Sequence, residues 1–232
     1  MGYGESKYLA ERMLNYASQK LGQKTSVVRV GQIAATAERP RDWSRDEWLP
    51  SLVLSSRYIG ALPASLGSTG VMDEIDWIPI DLLAKILVEF TAADPEDEDQ
   101  VSHTSRTLHA VNPYPSTWET ILPTVKQALQ AASPAHSPEI KTLPYSDWVD
   151  LLRTRSIAMA GADDAVIDPK MIQQNPGVKL LDFYAALQGE QRRTKLSTEQ
   201  SVRASKTLQG LEPIREEWLV SWVKNWVSDS KY

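Results

Sequence analysis

The chain has 232 residues, 42% of them hydrophobic and 24% charged, enough apolar chain for a sizeable core in one large domain or two small ones. Its 25 Lys plus Arg are outnumbered by 30 Asp plus Glu, and a formal charge of −5 argues against a general nucleic-acid binder, which needs a basic surface to displace counterions from phosphates. With no cysteine and only three histidines (His103, His109, His136), disulfide scaffolds, thiolate metal sites and cysteine nucleophiles are excluded, and a His-rich metal site is not expected.

Tyr3 to Leu21 reads as a helix: Tyr8, Leu9, Met13, Leu14, Tyr16 and Ala17 recur at helical spacing and Gly22 stops it. Thr25 to Val30 is a β-branched run closed by Gly31, a buried strand. Glu38 to Asp46 is a polar loop, followed by a helix from about Asp46 to Tyr58 with a bend expected at Pro50. Pro63 to Gly70 is loop, and Asp76-Trp77-Ile78-Pro79 is extended because the residue before proline avoids the helical region. Asp81 is the expected cap of a helix to Phe90, and the acidic stretch from Ala93 to Gln100 is a solvated loop.

Thr107 to Val111 is a second strand ending in the turn Asn112-Pro113-Tyr114-Pro115. Ser116 to Ala132 is a helix with Ser116 as N-cap and Glu119 completing a capping box. Glu139 to Leu143 is a third strand, and Ser146 to Arg153, Val178 to Leu187 and Thr198 to Leu208 are helical. Pro213 opens the last helix, Ile214 to Ser228, whose Trp218, Trp222 and Trp226 recur at i, i+4, i+8 and read as a stripe docked on the core. There is no internal repeat and no low-complexity linker.

The most apolar helical stretch, Ile80 to Phe90, carries Asp81, Lys85 and Glu89, so no membrane span is expected. Met1 to Ser6 fits the loose myristoylation pattern, a short motif that coincidence explains. With no secretory pattern at its start and no cysteine, the chain reads as cytoplasmic.

Two residue pairs carry possible chemistry. Tyr3 and Lys7 lie four apart on one helix face, as do Tyr16 and Lys20 roughly opposite them. A tyrosine is ordinarily a poor acid or base near neutrality, but an adjacent ammonium favours the phenolate. Such a pair can pass a proton at a carbonyl or hydroxyl carbon. Spacing alone does not choose between the pairs.

Context does. Gly2-Tyr3-Gly4-Glu5-Ser6-Lys7-Tyr8-Leu9-Ala10-Glu11 resembles the active-site helix of extended short-chain dehydrogenase/reductases, followed by a strand and Arg29-Val30-Gly31. Arg29 to Ala34, Glu47 to Leu52 and Asp76 to Ala84 narrow the likeness to the terminal thioester reductase domains of fungal nonribosomal peptide synthetases and synthetase-like reductases. Val111-Asn112-Pro113, Leu180 to Tyr184 and Glu217-Trp218 extend it over nearly the whole chain. The resemblance implies an α/β fold, mostly helical with a few strands, corresponding to the C-terminal part of an extended short-chain dehydrogenase/reductase. Residues 1–35 and 76–112 would be a remnant of the Rossmann core, and 36–75 and 113–232 a lobe for substrate and carrier.

It also implies NADPH as cofactor and, as partner, a carrier domain whose phosphopantetheine arm bears an acyl thioester. Reduction would release an aldehyde or alcohol. By that resemblance Tyr3 is the general acid, and Lys7 holds the nicotinamide ribose and favours the ionised phenol. Gly31, Gln32 and Ile33 pass the nicotinamide, and Trp43, Trp48 and Trp77 fall where substrate lies, although core packing accounts for Trp77 equally simply.

One departure is large. A dinucleotide site needs a glycine-rich turn between a strand and a helix, and no Gly-x-Gly-x-x-Gly occurs here. Gly2 and Gly4 follow no strand, and Gly67 and Gly70 lie in a loop. The chain is therefore expected to lack the N-terminal Rossmann half, to bind no NADPH and reduce no thioester alone, and to self-associate through an apolar face. Two further readings stand beside a reductase: a carrier-binding module without turnover, and a non-redox domain that cyclises a tethered chain.

Overall fold

A computed structural model describes residues 2–37, 43–70, 72–92, 105–160, 169–189 and 194–228. The loops expected at 38–42 and 93–100 lie outside them. In chain order the elements are α1 (Gly2–Leu21), β1 (Ser26–Val30), β2 (Ile33–Ala34), α2 (Trp48–Ile59), β3 (Ala61–Pro63), β4 (Glu74–Ile75), β5 (Ile78–Pro79), α3 (Ile80–Ala92), β6 (Arg106–Ala110), β7 (Ser116–Thr117), α4 (Trp118–Ala131), β8 (Lys141–Leu143), α5 (Tyr145–Ala160), α6 (Pro169–Gln174), α7 (Leu181–Ala186), α8 (Glu199–Ala204), α9 (Lys206–Gln209) and α10 (Glu216–Ser228). The fold is α/β, mostly helical, with short strands.

The chain divides into two compact units. The first holds residues 1–33, 77–113 and 195–211, and the second holds 34–76, 114–194 and 212–232. The sequence carried the second lobe unbroken to residue 232, but 195–211 packs within the first unit. There Leu208 and Leu211 join Ile78, Ile86, Phe90 and Leu108 in one apolar cluster. The Glu89 carboxylate on α3 accepts from the hydroxyls of Ser205 and Thr207 and from the Thr207 N–H, tying down α9. Nothing local in 195–211 specifies those partners, which lie more than a hundred residues earlier.

β1 and β6 form the parallel ladder of the first unit, in register from Ser26 against Arg106 to Val30 against Ala110. β1 is a strand because Val27, Val28 and Val30 are stiff at χ1 and suit the pleat, but it is not the buried strand expected: Val27 and Val28 are half-buried and Val30 is exposed. Gly31 continues the ladder, its N–H donating to the Ala110 carbonyl at 3.0 Å. A Cβ on Gly31 would stand 2.7 Å from Val111 Cγ1, so glycine permits this close passage of two chain segments.

The second unit is built around α2, whose residues Leu49 to Ser56 are all buried. Pro50, where a bend was expected, lies in its first turn. As the third helical residue it sits where the N–H has no intrahelical partner, so its missing donor costs nothing. Gly60 ends α2 in the left-handed region at φ 79°, its N–H donating to the Ser56 carbonyl at 2.9 Å. Small side chains on α2 admit close neighbours: Ser55 Oγ accepts from Gly177 N at 2.8 Å, and Ser56 Oγ from Trp148 Nε1 at 2.9 Å.

Several local expectations are corrected. Thr117, not Ser116, caps α4, its hydroxyl accepting from Thr120 N at 3.3 Å. Ser116 is held extended by pairing with Ile75 in the antiparallel β4–β7 ladder, so the helix cannot start there. Asp81 lies inside the first turn of α3, where a carboxylate favours the positive end of the helix dipole. Pro63, expected to open a loop, is the last residue of β3, which pairs in parallel with β8 from Ala61–Lys141 to Pro63–Leu143. In α10 the docked stripe is observed: Trp222 and Trp226 are buried and meet Trp43 edge-on at 5.3 and 5.4 Å between centroids.

Candidate active site

The first unit aligns α1 beside β1 through a single two-pronged ion pair. Arg29 Nε donates to Glu11 Oε1 at 3.0 Å and Nη2 to Oε2 at 2.7 Å. The paired guanidinium holds the Glu11 carboxyl below its ordinary range and is itself raised in return. Asn15 Oδ1 accepts from Ser105 N at 3.4 Å, and Thr25 Oγ1 donates to the Leu14 carbonyl at 3.2 Å, so α1 runs antiparallel to β1.

Element geometry then places the candidate residues. Lys7 lies one turn beyond Glu11, roughly 6 Å along the helix, and Gly31 two residues beyond Arg29, also roughly 6 Å along the strand. Tyr3 lies one turn further. Tyr3 and Lys7 therefore stand beside the carboxyl end of the β1–β6 ladder, the edge at which open α/β sheets bind ligands. Lys7 Nζ sits 5.3 Å from the centroid of the Tyr3 ring. Both side chains face solvent, Tyr3 with 77% of its surface exposed. Ser6 is spent locally, its hydroxyl donating to the Tyr3 carbonyl at 2.8 Å.

The loop after β1 is tied by backbone groups. The Gln32 carbonyl accepts from Ile78 N at 3.1 Å, while Gln32 Nε2 turns back onto the Ile33 carbonyl at 2.8 Å. Ile33 is exposed. Thus Tyr3, Lys7, Gly31, Gln32 and Ile33 belong to one unit.

The three tryptophans separate. Trp43 and Trp77 are buried, and Trp43 is locked between Trp222 and Trp226 with its Nε1 donating to Glu47 Oε2 at 3.0 Å. These side chains fill the interior rather than present a surface to substrate. Trp48, on α2, is half-buried beside Phe183, 6.5 Å between centroids. The other interior tyrosines are poor candidates for proton transfer. Burial pushes the phenols of Tyr145 and Tyr184 well up, and each donates to a carbonyl, of Tyr184 at 3.0 Å and of Trp48 at 2.6 Å.

Sequence reading missed the fastening role of Glu11 with Arg29 and the steric role of Val111. An i to i+18 ion pair has no periodic signature, and a side chain filling the space of an absent Cβ shows only in three dimensions.

The arrangement fits one half of a dinucleotide. An exposed hydroxyl and ammonium at the carboxyl edge of a parallel ladder suit a nicotinamide and its ribose. No strand–glycine-rich turn–helix exists among the described residues to receive a pyrophosphate, and Gly2 and Gly4 lie within α1 itself. Among the described residues no cluster of His, Cys, Asp and Glu could hold a metal ion, and no helix is long and apolar enough to cross a membrane.

Comparison with known proteins agrees with the resemblance read from the sequence. Residues 1–87 match the NAD-binding family described as Male sterility protein. A carboxylic acid reductase of Neurospora crassa is 32% identical over 97% of this chain and 20% of its own length. The adenylate-forming reductase Nps10 of Heterobasidion annosum is 31% identical over 97% of this chain and 19% of its own. The chain thus spans about a fifth of the length of these relatives. The crystal structure of the terminal R domain from the myxalamid PKS-NRPS biosynthetic pathway superposes with a TM-score of 0.66 at 17% identity, covering 98% of this chain and 50% of that one. At that identity it establishes the fold.

Proposed function

We propose, from the match of residues 1–87 to the Male sterility protein family model and the similarity of the chain to fungal carboxylic acid and adenylate-forming reductases, that it is the catalytic-helix and substrate-binding portion of an NADPH-dependent thioester reductase. Its substrate would be an acyl or peptidyl chain on the phosphopantetheine arm of a carrier domain, released as aldehyde or alcohol. The observation that carries this reading is the Tyr3–Lys7 pair, solvent-facing at the carboxyl edge of the β1–β6 ladder.

In this reading the Tyr3 hydroxyl donates its proton to the thioester carbonyl oxygen. The cofactor, when bound, supplies a hydride to the carbonyl carbon. The hemithioacetal then loses its C–S bond, the thiol leaves with a proton, and an aldehyde remains. Lys7 orients the ribose and places positive charge beside the phenol oxygen. Gly31, Gln32 and Ile33 form the edge that faces the nicotinamide, and Trp48 is the tryptophan accessible to substrate. A general acid contributes about 10²–10⁴-fold. With the nucleotide-binding half supplied from the Neurospora crassa relative, Tyr3→Phe is therefore expected to lower turnover by about that factor while leaving carrier binding unchanged.

No pyrophosphate cradle is found among the described residues, so the chain alone is expected to be inactive, and this favours a carrier-binding role for it in isolation. Calorimetric titration with an acyl-loaded carrier domain should show saturable binding, and titration with NADPH none up to millimolar concentration. Aldehyde formed by the chain alone would overturn the inactivity. Failure to bind the carrier would overturn the substrate role. α1 exposes Tyr8, Leu9, Met13, Tyr16 and Leu21, an apolar face through which the isolated chain is expected to self-associate, read by sedimentation.

A further inference from the structure

We propose that a groove on the second unit, between the end of α2, β8 and α5, is a docking site for an acidic amphipathic segment of a partner protein. Its volume is about 1070 Å³. That is at the top of the roughly 300–1000 Å³ range of small-ligand pockets, so a single phosphate or carboxylate would leave most of it empty.

The lining has two chemistries. Ile59, Ala61, Ile140, Leu143 and Leu151 make an apolar floor. Arg45, Arg57, Lys141 and Arg155 bring four cations around it. The acid of the lining, Glu139, is engaged with Lys126 at 2.9 Å. Arg57, Lys141 and Arg155 form no ion pair or side-chain hydrogen bond with any described residue. Arg45 closes one end, Nη2 donating to the Gln173 carbonyl at 3.4 Å.

Charge complementarity selects the occupant. On a chain of net charge −5, a local cluster of cations attracts an acidic partner and discriminates against a basic one. An apolar floor with a cationic rim is the complement of a helix that is apolar on one face and carries Asp and Glu beside it. The groove is lined wholly by residues of the second unit, whereas Tyr3 and Lys7 belong to the first, so this inference stands or falls independently of the reductase reading.

The test is fluorescence anisotropy of a labelled Leu/Glu amphipathic helical peptide with the full chain, against its Leu/Lys counterpart. The Leu/Glu peptide should bind, more weakly as salt rises, and the Leu/Lys peptide should not. Arg57→Glu with Arg155→Glu, and separately Lys141→Glu, should weaken binding by about tenfold or more with unchanged circular dichroism, whereas Lys224→Glu, the same charge change elsewhere, should not. Equal binding of both peptides, or equal loss with Lys224→Glu, would overturn the proposal. So would binding of inorganic phosphate without the peptide.

Discussion

The second unit buries Trp118, Trp148, Trp222 and Trp226 completely and closes around a serine-rich helix, whereas the first contains Trp77 as its one tryptophan and leaves most of α1 in solvent. Large aromatic side chains remove much apolar area each, so the second unit has a core that resists local opening. The first is joined by a five-residue parallel ladder, a modest aliphatic cluster and polar fastenings at Glu11–Arg29 and Glu89. The residues proposed for chemistry sit on the fastened unit, and the proposed docking groove on the filled one. Catalytic elements are commonly drawn from the less stable part of a fold, where closing on a ligand is easier.

Trp148→Ala should break the contrast most severely. Its indole is fully buried and donates to Ser56 Oγ and to the Ala61 carbonyl at 3.1 Å, so truncation leaves a cavity and two unpaired acceptors. A loss of about 3–5 kcal/mol is expected, read by chemical denaturation, with hydrogen exchange rising throughout the second unit. Leu108→Ala, in the middle of β6, should cost about 2–5 kcal/mol and raise exchange in β1 and α3 first. If Leu108→Ala instead opened both units together, they would not be separate cooperative bodies.

Glu89→Ala should cost about 1.5–3 kcal/mol, since hydrogen bonds to a charged group are stronger than neutral ones. The donors around it hold the Glu89 carboxyl below the ordinary value of 4.5, the Ser205 hydroxyl contributing most. Because the folded value is the lower one, this stabilisation is complete above about pH 5 and is lost as pH falls through the folded value. Denaturation of Glu89→Ala and the parent chain should therefore converge on acidification. Arg29→Ala should have the smallest effect, about 0.2–1 kcal/mol, and should fade in high salt because the pair is largely exposed. Its sharper consequence is positional: exchange in α1 should rise with little change in overall stability.

Much of this was legible along the chain. The helical recurrence from Tyr8 to Ala17 marked α1, the run Val27-Val28-Arg29-Val30 marked β1, and the tryptophan repeat marked the buried face of α10. These signals are local periodicities and residue preferences readable along the chain; burial accompanies the tryptophan repeat of α10, while the recurring apolar residues of α1 are largely exposed. β8 falls within the strand expected over Glu139 to Leu143, but the two- and three-residue strands β3, β4 and β7 carry no period, and α6 was not anticipated at all. Their pairings close across tens of residues and are selected by packing. Trp43 and Trp77 show the same limit: the resemblance placed them near substrate, and only their surroundings show that they fill the interior.

The sequence by itself determined the charge balance, the absence of thiol chemistry, the main helices and the family likeness, because composition, short-range period and ordered motifs are properties of the chain. Tertiary structure decided which cap starts α4, why Gly31 must lack a Cβ, that 195–211 packs with β6 and α3, and that Arg57, Lys141 and Arg155 share a groove. Each of these depends on groups far apart in the chain meeting at a few ångströms, a relation that spacing along one strand or helix does not encode.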